Sequence, residues 1–191
     1  MSGLDAKAVV IGASAGAVEA LSAILPRLPA NYALPIMIVV HVPANKGSVL
    51  ADLFRSRCAL DVREAQDKEP IAAGHVYFAP ADYHLLVEED GVLSLSNEEP
   101  VHYSRPSIDV LFESAADAYG ENLIAVVLTG ASQDGAKGLA AVAETGGEAI
   151  VQDPRQAFSR AMPEAALAER PDARVLTLSE IADYLRGVGN S

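Results

Sequence analysis

What most constrains this chain is a set of short, unbroken apolar runs that recur between helical stretches along its 191 residues. Pro35–Val40 (PIMIVV) and Leu123–Gly130 (LIAVVLTG) are of strand length and rich in β-branched residues. Strands buried on both faces of a parallel sheet read this way. Strands are expected at 7–11, 36–41, 60–65, 75–79, 122–129, 148–152 and 173–177. Helices are expected at 17–25 (stopped by Pro26), 47–57, 105–119 (closed by Gly120), 135–145, near 161–169 and at 179–186. Repeated strand–helix units joined by right-handed crossovers give a three-layer α/β/α architecture around a doubly wound, mostly parallel sheet. The Asp90-Gly91 pair between 84–88 and 92–96 marks an antiparallel hairpin beside it. With no repeat, linker or low-complexity stretch, residues 1–191 are expected to form a single domain.

Composition narrows the function classes. Half of the residues are hydrophobic and mean hydropathy is +0.19, yet no run approaches the roughly 20 apolar residues that a membrane helix needs. A net charge of −12 repels phosphate backbones, which argues against nucleic acid as a ligand. The N-terminal MSGLDAKAVV lacks the build of a signal peptide, so a cytoplasmic location is expected. One cysteine, Cys58, and four scattered histidines offer neither a disulfide framework nor a ligand set, so no metal or cofactor is expected.

In open parallel sheets the ligand site lies beyond the carboxyl ends of the strands. Three chemically capable residues fall there: Ser14 after the first strand, His41 after the second, and Asp134 in LTGASQDGAKGL. A hydroxyl, an imidazole to take its proton and a carboxylate to orient the imidazole are the parts of a nucleophilic relay. Each residue alone has a plainer reading: Ser14 as a helix N-cap, His41 as a packed strand end, Asp134 as a cap of the following helix. Their coincidence at one sheet edge favours the relay. His75, His84 and His102 lie at strand starts or in a loop and are set aside. Nucleotide readings of Gly12-Ala13-Ser14-Ala15-Gly16 fail, because a dinucleotide fingerprint needs glycine where Ser14 stands and a P-loop needs Lys after its last glycine. The pentapeptide does fit the G-x-S-x-G nucleophile elbow, although the order Ser, His, Asp differs from that of the α/β-hydrolases.

IGASAGAVEAL, VVHVPA, GHVYFAPADYHLLV, RPSIDVLFESAA, VVLTGASQDGAKGL and AMPEAAL, in this order, resemble the catalytic domain of the CheB-type chemotaxis protein-glutamate methylesterases over roughly residues 7–185. The resemblance implies a serine esterase with Ser14 as nucleophile, His41 as base and Asp134 as orienter. It implies a γ-glutamyl methyl ester on a chemoreceptor's cytoplasmic helices as substrate, with glutamine deamidation in some members. The residue after LTG, often Met in the family, is Ala131 here; its backbone N–H and that of Ala15 are the candidate oxyanion donors. The family's usual glycine after GASAG is Ala17, and a threonine position holds Ala15. Because the first strand begins within ten residues of Met1, no N-terminal receiver domain is expected. Arg105 and the 158–162 stretch, with Arg160 and Met162, are the candidate substrate-cleft residues. Two alternatives stand beside this reading: a related hydrolase acting on another ester or amide, and a non-catalytic signalling module.

Overall fold

The structure is a computed structural model, and it describes residues 6–42 and 49–190. Its main sheet has seven strands: β1 (Ala8–Ala13), β2 (Ile36–Val40), β3 (Asp61–Glu64), β4 (His75–Phe78), β7 (Leu123–Val127), β8 (Glu148–Gln152) and β9 (Arg174–Leu176). Strands β5 (His84–Val87) and β6 (Leu93–Ser96) form the hairpin, as a separate two-stranded sheet. The order across the main sheet is β3-β4-β2-β1-β7-β8-β9, and every pairing in it is parallel. The chain winds outward from β1 to one side through β2, then returns to the other through β7, so the winding reverses at β1 and β7. Ligands gather at such a switch point.

Side chains alternate along each strand and feed two apolar layers. Val9, Ile11, Ile36 and Ile38 pack with α1 (Ala17–Ser22), α2 (Val49–Arg55) and α6 (Leu178–Gly189). Ala8, Val10, Met37 and Val39 pack with α3 (Ile108–Tyr119), α4 (Ala136–Glu144), α5 (Ala161–Glu169) and the hairpin. This is the expected three-layer arrangement. Among the described residues, no helix is long and apolar enough to cross a membrane.

Some boundaries differ from expectation. Helix α1 ends at Ser22, and Pro26 lies instead in the first turn of a separate 3-10 segment, Leu25–Arg27. Proline's fixed φ suits that position and leaves no helical N–H missing. Helix α3 starts at Ile108 and not at 105, because Pro106 and the extended Ser107 precede it. The expected start of α2 at 47 lies outside the described residues.

Candidate active site

Strand register delivers the first two groups. Beyond β1, Ser14 N–H donates to the Thr129 carbonyl at 2.9 Å; beyond β2, His41 N–H donates to the Ala13 carbonyl at 3.1 Å. Both residues therefore stand at the carboxyl edge of neighbouring central strands. Ser14 is half-buried and the His41 side chain is 14% exposed. The N-cap of α1 is Gly16, not Ser14, which leaves the serine hydroxyl without a capping duty.

Asp134 arrives from the loop before α4 and is fully buried. Its Oδ2 accepts the Ile108 N–H at 2.7 Å, and its Oδ1 accepts the Asp109 N–H at 3.0 Å and the Ser107 hydroxyl at 2.9 Å. Ile108 and Asp109 open α3, so Asp134 satisfies donors that the first turn of a helix leaves unpaired. His41 Nε2 lies 2.7 Å from Oδ2. Burial pushes the Asp134 carboxyl up, but His41 and the N–H groups of Asp109 and Ile108 together outweigh it and hold the carboxyl below the usual carboxylate range. An ionised acceptor at that distance makes Nε2–H the donor and leaves Nδ1 free to take a proton.

The same construction runs in reverse one turn away. Asp109, in the first turn of α3, accepts the N–H groups of Gly135 and Gly138 at 2.9 and 2.7 Å, at the start of α4. His102 Nε2 lies 3.0 Å from its other oxygen. Burial raises the Asp109 carboxyl above its ordinary value despite these donors, and the charge of Asp134 adds to the rise. Each of the two packed helices thus begins on a carboxylate supplied by the other's side. Gly138 lets α4 approach α3 closely, since a Cβ there would stand 2.7 Å from Phe112 Cβ, and Gly12 on β1 makes room for Ile108 at the start of α3.

The directions of the two candidate oxyanion donors follow from peptide planarity. Met162 N–H holds the Gly130 carbonyl at 2.9 Å, so the Ala131 N–H at the far end of that peptide points the other way, toward Ser14. It donates to Ser14 Oγ at 3.0 Å. Similarly, the Ser14 carbonyl accepts Ala17 N–H at 3.0 Å, which turns the Ala15 N–H away from the helix. Helix α1 has only six residues, so these are individual amide donors and not the end of a long helix dipole. Gly130 is needed at this spot: a Cβ there would stand 2.6 Å from Met162 Cε and 2.7 Å from Ser14 Oγ.

No hydrogen bond joins Ser14 to His41 in this state; the hydroxyl rests on the Ala131 amide. Among the cleft candidates, Arg105 lines a cavity of about 230 Å³ with His41, Val42, Asp82 and Tyr103. Its guanidinium is committed to Asp82 and to the Asn97 and Glu98 carbonyls, so it braces the loop. Met162 is buried beneath Gly130 and is part of the floor, not an exposed contact. Arg160 is exposed, with no side-chain hydrogen bond or ion pair among the described residues. The fully exposed Tyr103 lies near His41, and Phe158, 77% exposed, packs against Gly16.

Sequence spacing missed the supporting groups. Ser107, Asp109 and Thr129 act through tertiary bonds, and His84 accepts the Ser107 N–H at 3.1 Å while its Nε2 meets the Glu99 carbonyl at 2.9 Å. Ligand atoms of His102, Asp109 and Asp134 lie within 4.8 Å of one another, the geometry of a metal cluster. Three of the four carboxylate oxygens already accept backbone N–H or Ser107 O–H donors, and the fourth, Asp109 Oδ2, pairs with His102 Nε2, which marks a hydrogen-bonded network.

A hydroxyl, a His–Asp pair and converging amides at the switch point of a doubly wound sheet place the protein in the class of α/β enzymes with a serine-hydrolase layout. A CheB methylesterase family profile matches residues 9–185, and the chain belongs to that family. It is 45% identical over 180 residues to a putative protein-glutamate methylesterase/protein-glutamine glutaminase of Leptospira interrogans, covering 94% of this chain and 93% of that protein. It is 38% identical to the protein-glutamate methylesterase/protein-glutamine glutaminase of Symbiobacterium thermophilum, covering 97% of this chain but 52% of that longer protein. The crystal structure of the Thermotoga maritima CheB methylesterase catalytic domain matches with a TM-score of 0.91 at 35% identity, over 96% of this chain and 98% of that one.

Proposed function

We propose that the protein is a cytoplasmic serine esterase that hydrolyses glutamate γ-methyl esters on chemoreceptor helices to glutamate and methanol, and that it deamidates receptor glutamines by the same chemistry. The observation that carries this reading is the buried Asp134 carboxylate, bonded to His41 at 2.7 Å, beside a serine whose Oγ already sits on an oxyanion-type donor at 3.0 Å.

Substrate binding sets the sequence of events. The ester carbonyl oxygen needs the Ala131 N–H, so it displaces Ser14 Oγ, which turns about χ1 toward Nδ1 of His41. Oγ attacks the carbonyl carbon as its proton passes to His41, and the tetrahedral oxyanion is held by the Ala131 and Ala15 amides. Collapse expels methanol, which takes the proton back from His41. Water then repeats the sequence on the acyl-serine, releasing the glutamate carboxylate and restoring Ser14. Asp134 stays ionised throughout, fixing the ring and stabilising the imidazolium.

The small, exposed ester leaves specificity to the surface around it. Tyr103 on the His41 side, with Phe158 and Arg160 on the Ser14 side, offers apolar and cationic contacts for the surrounding receptor helix. Incubation with methylated receptor signalling fragment, with methanol quantified, tests the proposal. Release by the wild type and none by Ser14→Ala is expected. Turnover of generic esters with no methanol from any cognate receptor would replace this reading by that of a broader hydrolase.

A further inference from the structure

Thr129 lies two residues beyond the end of the β7 ladder and is 1% exposed, yet it bonds to three separate segments of the active site. Its carbonyl accepts the Ser14 N–H at 2.9 Å. Its hydroxyl donates to the Ala15 carbonyl at 2.9 Å and accepts the Ser159 N–H at 2.9 Å. A second carbonyl, that of Ser159, lies 3.3 Å from the same oxygen, but one hydroxyl hydrogen serves the nearer acceptor. Its own N–H is fixed by the side-chain carbonyl of the buried Gln152 at 2.9 Å.

These bonds close a circuit. From Thr129 Oγ1 the chain of contacts runs to Ser159 N–H, from the Ser159 carbonyl to Gly130 N–H at 3.2 Å, and from the Gly130 carbonyl to Met162 N–H at 2.9 Å. That last bond aims the Ala131 N–H at Ser14 Oγ. On the other side, the hydroxyl holds the Ala15 carbonyl, and planarity of the Ala15–Gly16 peptide then fixes the turn that carries Ser14. The methyl group contributes as well: a Cβ at Gly16, whose φ is +86°, would meet Thr129 Cγ2 at 3.0 Å. One side chain thus sets the separation between the nucleophile's turn and the loop that supplies the oxyanion donor.

We infer that Thr129 is a positioning residue for catalysis, holding the Ser14 turn and the Ala131 amide in register through its hydroxyl. It touches no reacting atom. The inference rests on the reading of Ser14 as nucleophile and Ala131 as oxyanion donor. Misplacement of such a pair by about 1 Å costs on the order of 10²-fold in rate.

Thr129→Val keeps the shape and removes the hydroxyl; Thr129→Ser keeps the hydroxyl and removes the methyl. Kinetics on p-nitrophenyl acetate, with active sites counted by labelling with a fluorophosphonate, separate a catalytic loss from a loss of folded protein. Thr129→Val is expected to lower kcat per labelled site about 10²-fold with KM within about twofold, and Thr129→Ser to recover to within about threefold of the wild type. Should the valine variant fail to fold, Thr129→Ala removes the hydroxyl together with the methyl, and its loss of kcat beyond that of Thr129→Ser, which lacks the methyl alone, gives the share of the hydroxyl. A hydroxyl-less variant with kcat within threefold of the wild type, or a serine variant as slow as the valine one, overturns the inference. Ser14→Ala in parallel distinguishes the two levels: turnover surviving in it overturns the nucleophile and this inference together, whereas its loss beside an active Thr129→Val overturns this inference alone.

Discussion

Replacing Asp134 by Asn separates two roles that one carboxylate now holds. With its amide oxygen in the Oδ1 position, Asn still accepts from Asp109 N–H and the Ser107 hydroxyl and gives up only the Ile108 N–H, so α3 keeps most of its start, but the side chain no longer demands a proton on Nε2 of His41. With the tautomer unspecified, kcat is expected to fall by about 10⁴-fold while the folded fraction, read by circular dichroism, holds. A fall of less than tenfold would remove Asp134 from the relay. Ser14, His41 and Asp134 were legible because strand ends in a parallel sheet must converge, and convergence needs only the strand order. Thr129, Ser107 and His84 were not legible. Their duties are bonds to backbone groups far away in sequence, and no spacing rule encodes which carbonyl a hydroxyl will meet.

Between elements, the start of α3 and the start of α4 depend on each other. Asp109→Ala would strand the Gly135 and Gly138 amides in a buried site and leave His102 without its partner. Each orphaned buried donor costs about 1–3 kcal/mol, so a loss of about 3 kcal/mol is expected, seen as a lower urea midpoint at constant m. An unchanged midpoint would show that water replaces the carboxylate without penalty. The apolar runs announced the central strands β1, β2 and β7, since burial on both faces leaves no room for polar residues; the edge strands β3 and β9 carry Asp61, Arg63, Glu64 and Arg174 and stood out only by alternating with helices. Helix ends were less legible: Pro26 opens a 3-10 turn and α3 begins three residues late, because local turns after short helices are settled by packing and not by periodicity.

Over the whole molecule, the two buried carboxylates pull the pH dependence of stability in opposite directions. Asp134 titrates below its unfolded value, so its contribution is complete above the ordinary carboxylate range and is lost as pH falls through the lowered folded value. Asp109 titrates above its unfolded value, so its contribution favours the fold in acid and declines as pH rises through the raised value. Urea midpoints measured from neutral pH into acid are therefore expected to drop less steeply in Asp134→Asn than in the wild type; parallel curves would count against the assignment. The shared start of α3 and α4 also bears on how such an enzyme can decay. A copy released from selection can lose Ser14 and remain a sound, silent protein, because that hydroxyl supports little but the reaction. Losing residue 134 to a side chain that cannot accept a hydrogen bond dismantles the junction of two helices as well. Dead but folded descendants of this protein should therefore differ at position 14 and keep an acceptor at 134, like a building whose lock is changed more easily than its keystone.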